Sequence, residues 1–255
     1  MIDLHCHILP RMDDGAQTTE DMVQMARAAL EDGITTIVAT PHHKNGRYVN
    51  KKQDIYKAVD QANIILQQKK LDITILAGQE CRLYGELIED YHRGDILPLN
   101  TSNYLFVELP SGEVPMYTAD LLYNIQLAGL VPVIVHPERN RVLIEHPGKL
   151  YDLVKNGALT QVTAASITGH FGKKIKAFSE EIIDSNLAHF IASDAHNITN
   201  RSFQLKKAYE TINKEFGESF VYFYMENAEL LIDNKHVMVE QPNTIRRRKK
   251  LFGLF

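Results

Sequence analysis

The sequence predicts an α/β fold, a single closed or nearly closed TIM-like β/α barrel of seven parallel strands. Three observations carry that expectation. Seven short β-rich runs alternate with helical patterns, as a parallel sheet with crossover helices requires. Six of the seven runs deliver a His, Asp or Glu at or just beyond their ends, and a parallel barrel collects its chemistry at the carboxyl ends of its strands. No internal repeat, low-complexity linker or Pro/Ser-rich boundary interrupts the 255 residues, a length that barrels span as one unit. Residues 1–245 therefore read as one domain and 246–255 as a tail; a doubly wound open sheet is the competing architecture.

The first run, Ile2 to His5, is short and mainly apolar. A Thr18-x-x-Asp21 capping signal then opens a helix with Met22, Ala26, Ala29 and Leu30 on one face, stopped by Gly33. Thr35 to Thr40 is the second run, and Ile55, Val59, Ala62 and Leu66 recur at helical spacing after it. The third and fourth runs are Ile73 to Ala77 and Tyr104 to Glu108. A helical pattern from about Pro115 to Ala128 leads to the fifth, Val131 to His136. Another, from Pro147 to a stop at Gly157, leads to the sixth, Leu159 to Thr163. Ile175, Phe178 and Ile182 mark the helix before the seventh run, Phe190 to Ser193, and Leu205, Ala208, Ile212 and Phe216 mark the helix after it.

His5 and His7 open the rim, because side chains alternate along a strand and both imidazoles share a face. Asp14 lies in the following loop. Thr-Pro-His42-His43 ends the second strand, Gly-Gln-Glu80 the third and Val-Glu108-Leu-Pro the fourth. Val-His136-Pro-Glu-Arg139-Asn ends the fifth and Ser-Asp194-Ala-His196-Asn the seventh. The nine candidates His5, His7, Asp14, His42, Glu80, Glu108, His136, Asp194 and His196 are too many for one tetrahedral ion and suit three ions sharing a carboxylate. Imidazole and carboxylate without thiolate fit zinc, iron or manganese. His43 faces away from His42 unless the loop turns there, and reads as a substrate contact or a surface residue. His92, His146, His170, His189 and His236 fall in helices or loops and carry no expected chemistry. Cys6 and Cys81 flank ligands on strands and so point into the opposite packed layer, as buried thiols and not a disulfide.

The formal net charge is −4, yet Arg246, Arg247, Arg248, Lys249 and Lys250 alone carry five positive charges, which leaves −9 on residues 1–245. A body of that charge is unsuited to nucleic acid, which needs a basic surface. There is no 18-residue apolar run and no basic, apolar leader at the N-terminus, so the chain reads as a cytoplasmic protein that does not span a membrane. The tail adds Leu251, Phe252, Leu254 and Phe255 to its basic cluster. It is either a plain C-terminus or a contact for an anionic membrane face or an acidic partner.

His5-x-His7, Thr-Pro-His42, Glu80, His136-Pro-Glu-Arg and Ser-Asp194-Ala-His196 together resemble the PHP (polymerase and histidinol phosphatase) family, whose members are distorted seven-stranded β/α barrels with a three-metal cleft. That resemblance implies one ion on His5, His7, Glu80 and Asp194, a second on Glu80, Glu108 and His136, and a third on Asp14, His42 and His196. The opening Met-Ile-Asp-Leu-His-Cys-His-Ile-Leu-Pro-x-Met-Asp-Asp-Gly, with Ala-Thr-Pro-His-His, Val-His-Pro-Glu-Arg-Asn and Ala-Ser-Asp-Ala-His-Asn, is similar to one branch of that family. These are the manganese-dependent bacterial protein-tyrosine phosphatases associated with capsule and exopolysaccharide synthesis. Acids at Asp14 and Glu108 agree with that branch, since harder oxygen ligands suit Mn²⁺. The resemblance implies a phosphotyrosine-bearing bacterial tyrosine kinase as partner.

The expected chemistry is in-line attack on phosphorus by a metal-activated hydroxide. Arg139 and Arg201 lie just beyond ligand motifs and are candidates for bidentate binding of phosphoryl oxygens; rim ion pairs are the other reading for both. The loop from His43 to Asn50, with Lys44, Arg47 and Tyr48, is placed to guard the substrate. A histidinol-phosphate or other small-molecule phosphatase would use the same ligands, and a non-catalytic partner of a membrane kinase is a third class. A cysteine-dependent phosphatase loop does not fit, because four residues and not five separate Cys6 from Arg11 and no glycine-rich turn follows.

Overall fold

The computed structural model describes residues 1–245, so the tail at 246–255 lies outside the described residues. Nine segments trace the seven expected runs: β1 (Ile2–Cys6), β2 (Thr36–Ala39), β3 (His42–His43), β4 (Thr74–Ala77), β5 (Glu80–Arg82), β6 (Tyr104–Glu108), β7 (Val131–Val135), β8 (Leu159–Thr163) and β9 (Phe190–Ala192). Every ladder is parallel, in the orders β1-β2-β4 and β3-β5-β6-β7-β8-β9. β3 continues β2 beyond Pro41, which has no N–H for a ladder, and β5 continues β4 beyond Gly78-Gln79. A Cβ on Gly78 would lie 2.7 Å from Val38 Cγ1 and 2.9 Å from Leu99 Cδ2, so the strand bends where only glycine fits.

The two sheets are thus successive stretches of one distorted ring, and β9 meets β1 to close it. The Asp194 N–H donates to His5 O at 2.8 Å and the His7 N–H to Ala195 O at 2.9 Å. Deeper in the seam, the Asp3 carboxylate accepts from the Ser193 N–H at 2.8 Å and from its hydroxyl at 2.5 Å. These bonds exclude the open sheet.

Inside the ring, Leu4, Val38, Phe106, Val133, Val135, Leu159, Phe190 and Ala192 pack as one apolar cluster. The same period-two face continues upward from Val38 to His42, Leu76 to Glu80, Phe106 to Glu108 and Ala192 to Asp194. Each of these strands is therefore apolar within the barrel and carries a candidate ligand at its rim. β1 reaches this arrangement differently, because a bulge between Asp3 and Cys6 interrupts strict alternation and lets His5 follow the inward-facing Leu4. Cys6 and Cys81 are free, buried thiols in the outer cluster beneath the helices, as expected.

The expected helices appear as Thr19–Glu31, Lys52–Gln68, Thr118–Leu127, Gly148–Lys155, Lys173–Asp184 and Leu205–Phe216. Thr18 and Asp21 form the reciprocal cap. A helix not expected from the sequence, Glu218–Ile232, buries Tyr224, Asn227, Ala228 and Leu231. Ala228 and Leu231 join the inner cluster with Tyr104 and Leu159, plugging the amino-terminal mouth of the barrel. Its apolar residues surround much of the helix, so no clean stripe signals it. No described helix is long and apolar enough to cross a membrane.

Candidate metal centre

Five distances define the deepest part of the rim. His5 Nε2 lies 3.3 Å from His7 Nε2, 3.5 Å from Glu80 Oε2 and 3.4 Å from Asp194 Oδ1. His7 Nε2 lies 3.4 Å from Glu80 Oε2 and 3.3 Å from Asp194 Oδ1. All five are of the length that separates two ligands of one small ion. All four side chains are buried.

A second group surrounds Asp14, whose Oδ1 is 3.5 Å from His42 Nε2 and 3.5 Å from His196 Nε2. His7 belongs to this group as well, with its ring 3.7 Å from that of His196. The third group differs in part from the expected one. Glu80 and His136 are together, Oε1 to Nε2 at 2.8 Å, but Glu108 gathers with His42 and Glu80. His42 Nδ1 is 2.7 Å from Glu80 Oε2 and 3.8 Å from Glu108 Oε2. The cause is Arg82, the register partner of Glu108 on β5, which lies 3.2 Å from the same Glu108 oxygen and draws it away from β7.

The polar atoms left over test whether this set suits cations. His42 Nδ1, Glu80 Oε2, Glu108 Oε2 and His196 Nε2 are buried and approach one another's groups, His5, His7, Asp14 or Arg82 without a well-aligned hydrogen bond, although buried polar atoms are nearly always paired. Burial alone would raise Asp194 and Glu80, yet both are held well below the carboxylate range, Asp194 chiefly by Arg139 and His5, and Glu80 chiefly by His42 and His5. Burial pushes Glu108 up to about 7, with Glu80 adding to the shift against His42 and Arg82. His136 and His196 are each held down to about 4, first by burial and then by Arg139 and His7 respectively, so both rings are neutral. Against burial, His7 and His42 are raised instead, by Asp13 and by Glu80 respectively, and such a mixture of close carboxylates and imidazoles fits divalent cations.

Beside this cluster opens a cavity of about 250 Å³ whose lining includes His42, Glu108, His136, Arg139, Asp194 and Arg201. Both arginines stand on its wall and both meet Asp194 Oδ2, Arg139 through Nη2 at 2.6 Å and Arg201 through Nη2 at 3.0 Å. Arg139 is aimed by the Pro137–Arg139 turn, where buried Glu138 accepts from the Thr163 N–H and the Ser166 hydroxyl. His136 at φ 38° and Asp194 at φ 53° adopt left-handed backbone that non-glycine residues rarely hold, and such strain concentrates at functional rims.

His43 corrects both readings offered for it. The side chain is buried, and its Nδ1 bonds Asn50 O at 2.8 Å, anchoring the loop; it is not a surface residue, and the cavity wall does not include it. In that loop Lys44 pairs with Asp90, while Tyr48 lies parallel to His42 with ring centres 6.3 Å apart. Residues unforeseen in the sequence support the ligands: Asp13 under His7, Arg82 beside Glu108, and Gln161, whose Oε1 is 2.9 Å from His5 Nδ1. Gln161 is the inward residue of β8, the one strand without a candidate ligand, and Asp13 was visible only as the neighbour of Asp14.

The model of the capsular polysaccharide synthesis family CpsB/CapC matches residues 1–236. Tyrosine-protein phosphatase YwqE of Bacillus subtilis (strain 168) is 48% identical over 255 residues, covering all of both chains. Tyrosine-protein phosphatase CpsB of Streptococcus agalactiae is 28% identical over 245 residues, 93% of this chain and 100% of its own. Among solved structures, those of YwqE from Bacillus subtilis and CpsB from Streptococcus pneumoniae, described as unique metal-dependent tyrosine phosphatases, include a chain matching at TM-score 0.95. That chain is 47% identical, with 97% of this chain and 100% of that one covered. The phosphotriesterase homology protein of Escherichia coli shares the fold alone, at TM-score 0.55 and 10% identity over 91% of this chain and 98% of its own.

Proposed function

The chain belongs to the CpsB/CapC family of capsular polysaccharide synthesis proteins, and on that premise we propose that it is a metal-dependent protein-tyrosine phosphatase. Its substrates would be phosphotyrosine on a bacterial tyrosine kinase and other proteins, and its action would regulate capsule or exopolysaccharide synthesis. The observation that carries the reading is the close gathering of His5 and His7 with Glu80 and Asp194 beside an arginine-lined cavity.

His5, His7, Glu80 and Asp194 would hold one ion, Glu80 and His136 a second, which Glu108 would join by turning from His42 and Arg82, and Asp14, His42 and His196 a third, with Mn²⁺ favoured over iron or zinc by the acids. Bound divalent ions supply a water of lowered pKa as nucleophile and neutralise charge on the phosphoryl oxygens. Arg139 and Arg201 each direct Nη2 to Asp194, which leaves the remaining guanidinium donors for those oxygens. Glu80 offers a different oxygen to each side, Oε2 toward His5 and His7 and Oε1 toward His136, so that it would be able to serve two ions. A tyrosinate leaving group, with a pKa of about 10, departs with less acid assistance than an alkoxide. We place the protein in the cytoplasm, drawn to the membrane periphery by its kinase partner or its basic tail.

The test is hydrolysis of a phosphotyrosyl peptide and of histidinol phosphate by metal-stripped and Mn²⁺-restored protein, with His136→Ala as control. Mn²⁺-dependent peptide turnover that the substitution abolishes is the expected result. Turnover of histidinol phosphate alone would make the chain a small-molecule phosphatase. Activity that survives both chelation and the substitution would overturn the metal reading, and kinase binding without turnover would make it a binding partner.

A further inference from the structure

Asp13 is buried directly beneath the rim and touches two metal groups at once. Its Oδ2 accepts from His7 Nδ1–H at 2.6 Å and from the backbone N–H of His42 at 3.0 Å, while its Oδ1 accepts from the Gly15 N–H at 2.9 Å. Three donors converge on a side chain that has no proton to give. Because its partner is acceptor-only, His7 keeps a proton on Nδ1, so Nε2, which faces His5, Glu80 and Asp194, is the nitrogen left to bind an ion.

Resting on the ligand set proposed above, we infer that Asp13 is a positioning residue that ties two of the metal subsites together. It holds His7 in its ion-binding tautomer within one group and fixes the backbone of His42 in the other. The consecutive residues Asp13 and Asp14 thus divide the work: Asp14 presents its oxygen to His42 and His196, and Asp13 orients the His7 imidazole and the His42 backbone. An asparagine in its place has a single acceptor oxygen and a donor amide. Whichever way the amide is turned, one of the converging N–H groups loses its acceptor. With the NH₂ toward His7, Nδ1 becomes the acceptor and the ring proton shifts to Nε2, where it blocks an ion. Loss of such an outer partner weakens metal binding about 10- to 100-fold.

The experiment is calorimetric titration of Mn²⁺ into the metal-free full-length chain, wild type against Asp13→Asn, with ¹⁵N–¹H long-range NMR of His7 in the metal-free protein. We expect Asp13→Asn to bind two of its Mn²⁺ ions about 10- to 100-fold more weakly. We also expect its His7 to lose the Nδ1 proton where the amide turns its NH₂ to the ring, and its occupancy to return in excess Mn²⁺. Unchanged affinity with Nδ1–H retained would overturn the inference and leave the ligand set standing, whereas a wild type that binds no Mn²⁺ would overturn the ligand set itself. Reduced metal-free stability with affinity and tautomer unaltered would reduce Asp13 to a structural residue. Should the variant not fold, the wild type alone decides, since a His7 without a proton on Nδ1 in that protein contradicts the role.

Discussion

Arg139 Nη2 stands 2.6 Å from Asp194 Oδ2, while the other oxygen of the same carboxylate faces His5 and His7 at 3.4 and 3.3 Å. One acid therefore joins the proposed ion site to the cavity wall, and a change to the guanidinium alters both. The two readings of Arg139, phosphoryl contact and rim ion pair, are compatible in this geometry, because the pair with Asp194 is what orients the remaining donors.

Arg139→Met is expected to lower kcat/KM on a phosphotyrosyl peptide about 10²-fold, the usual effect of removing one donor from developing charge. Arg139→Lys should recover only part of this, since an ammonium keeps the charge but not the planar fork. Steady-state kinetics at saturating Mn²⁺ measures both, and wild-type rates in Arg139→Met would remove it from the mechanism.

Glu80 touches His5, His7 and His42 with Oε2 and His136 with Oε1. Glu80→Gln should therefore reduce Mn²⁺ content by elemental analysis and lower turnover on the order of 10³-fold, as the loss of several kcal/mol of metal-assisted stabilisation requires. A variant with full metal content and normal rate would show that Glu80 bridges nothing.

A Cβ at Gly15 would fall 1.9 Å from His7 O and 2.5 Å from His7 Cβ, so the loop cannot keep its path. Gly15→Ala is expected to cost about 2 kcal/mol in urea unfolding, within the range of overpacking changes, and to weaken metal binding as His7 is displaced. Unaltered unfolding would mean the loop relaxes freely.

His189 lies far from the rim, its Nδ1 accepting from the Thr160 N–H at 3.1 Å, and burial holds its pKa down to about 4 against the usual 6.5. Below pH 6.5 the unfolded chain takes up a proton that the folded chain refuses, so stability falls with decreasing pH until about pH 4 and the contribution then levels off. The slope is about 1.4 kcal/mol per pH unit, near 3 kcal/mol in all. In His189→Gln this part of the curve should vanish when denaturation midpoints are followed from pH 7 to 4; an identical slope would exclude His189 as its source.

Leu231 is fully buried in the barrel plug, and Leu231→Ala should cost about 3 kcal/mol of stability while leaving Mn²⁺ affinity unchanged. Thermal unfolding and metal titration on the same sample separate these effects. Weakened metal binding would show that the plug reaches the rim.

Much of the fold was legible because it follows from local rules. Period-two strands ending in His42, Glu80, Glu108 and Asp194 and helical stripes such as Ile55, Val59, Ala62 and Leu66 are readable from spacing alone. The plug helix Glu218–Ile232 was not legible, because a helix apolar over much of its surface has no stripe. His43 faces away from His42, beside Cys81, as alternation requires, and what the spacing did not show is that the loop folds back so that Asn50 O covers it.

The sequence by itself determined the alternation of parallel strands and helices, the chemical types of the rim ligands and the strands that carry them, since each depends on neighbours a few residues apart, while closure of the ring rests on the distant seam between residues 3–7 and 193–195. Only the tertiary structure decided which atoms meet. It moved Glu108 toward His42 through Arg82, put both arginines on Asp194, set Gln161 behind His5 and gave Asp13 its two imidazole-bearing partners. Those choices depend on strand register and ring closure, which bring residues as distant as His5 and Asp194 within 3.4 Å of each other, and no local pattern encodes such a distance.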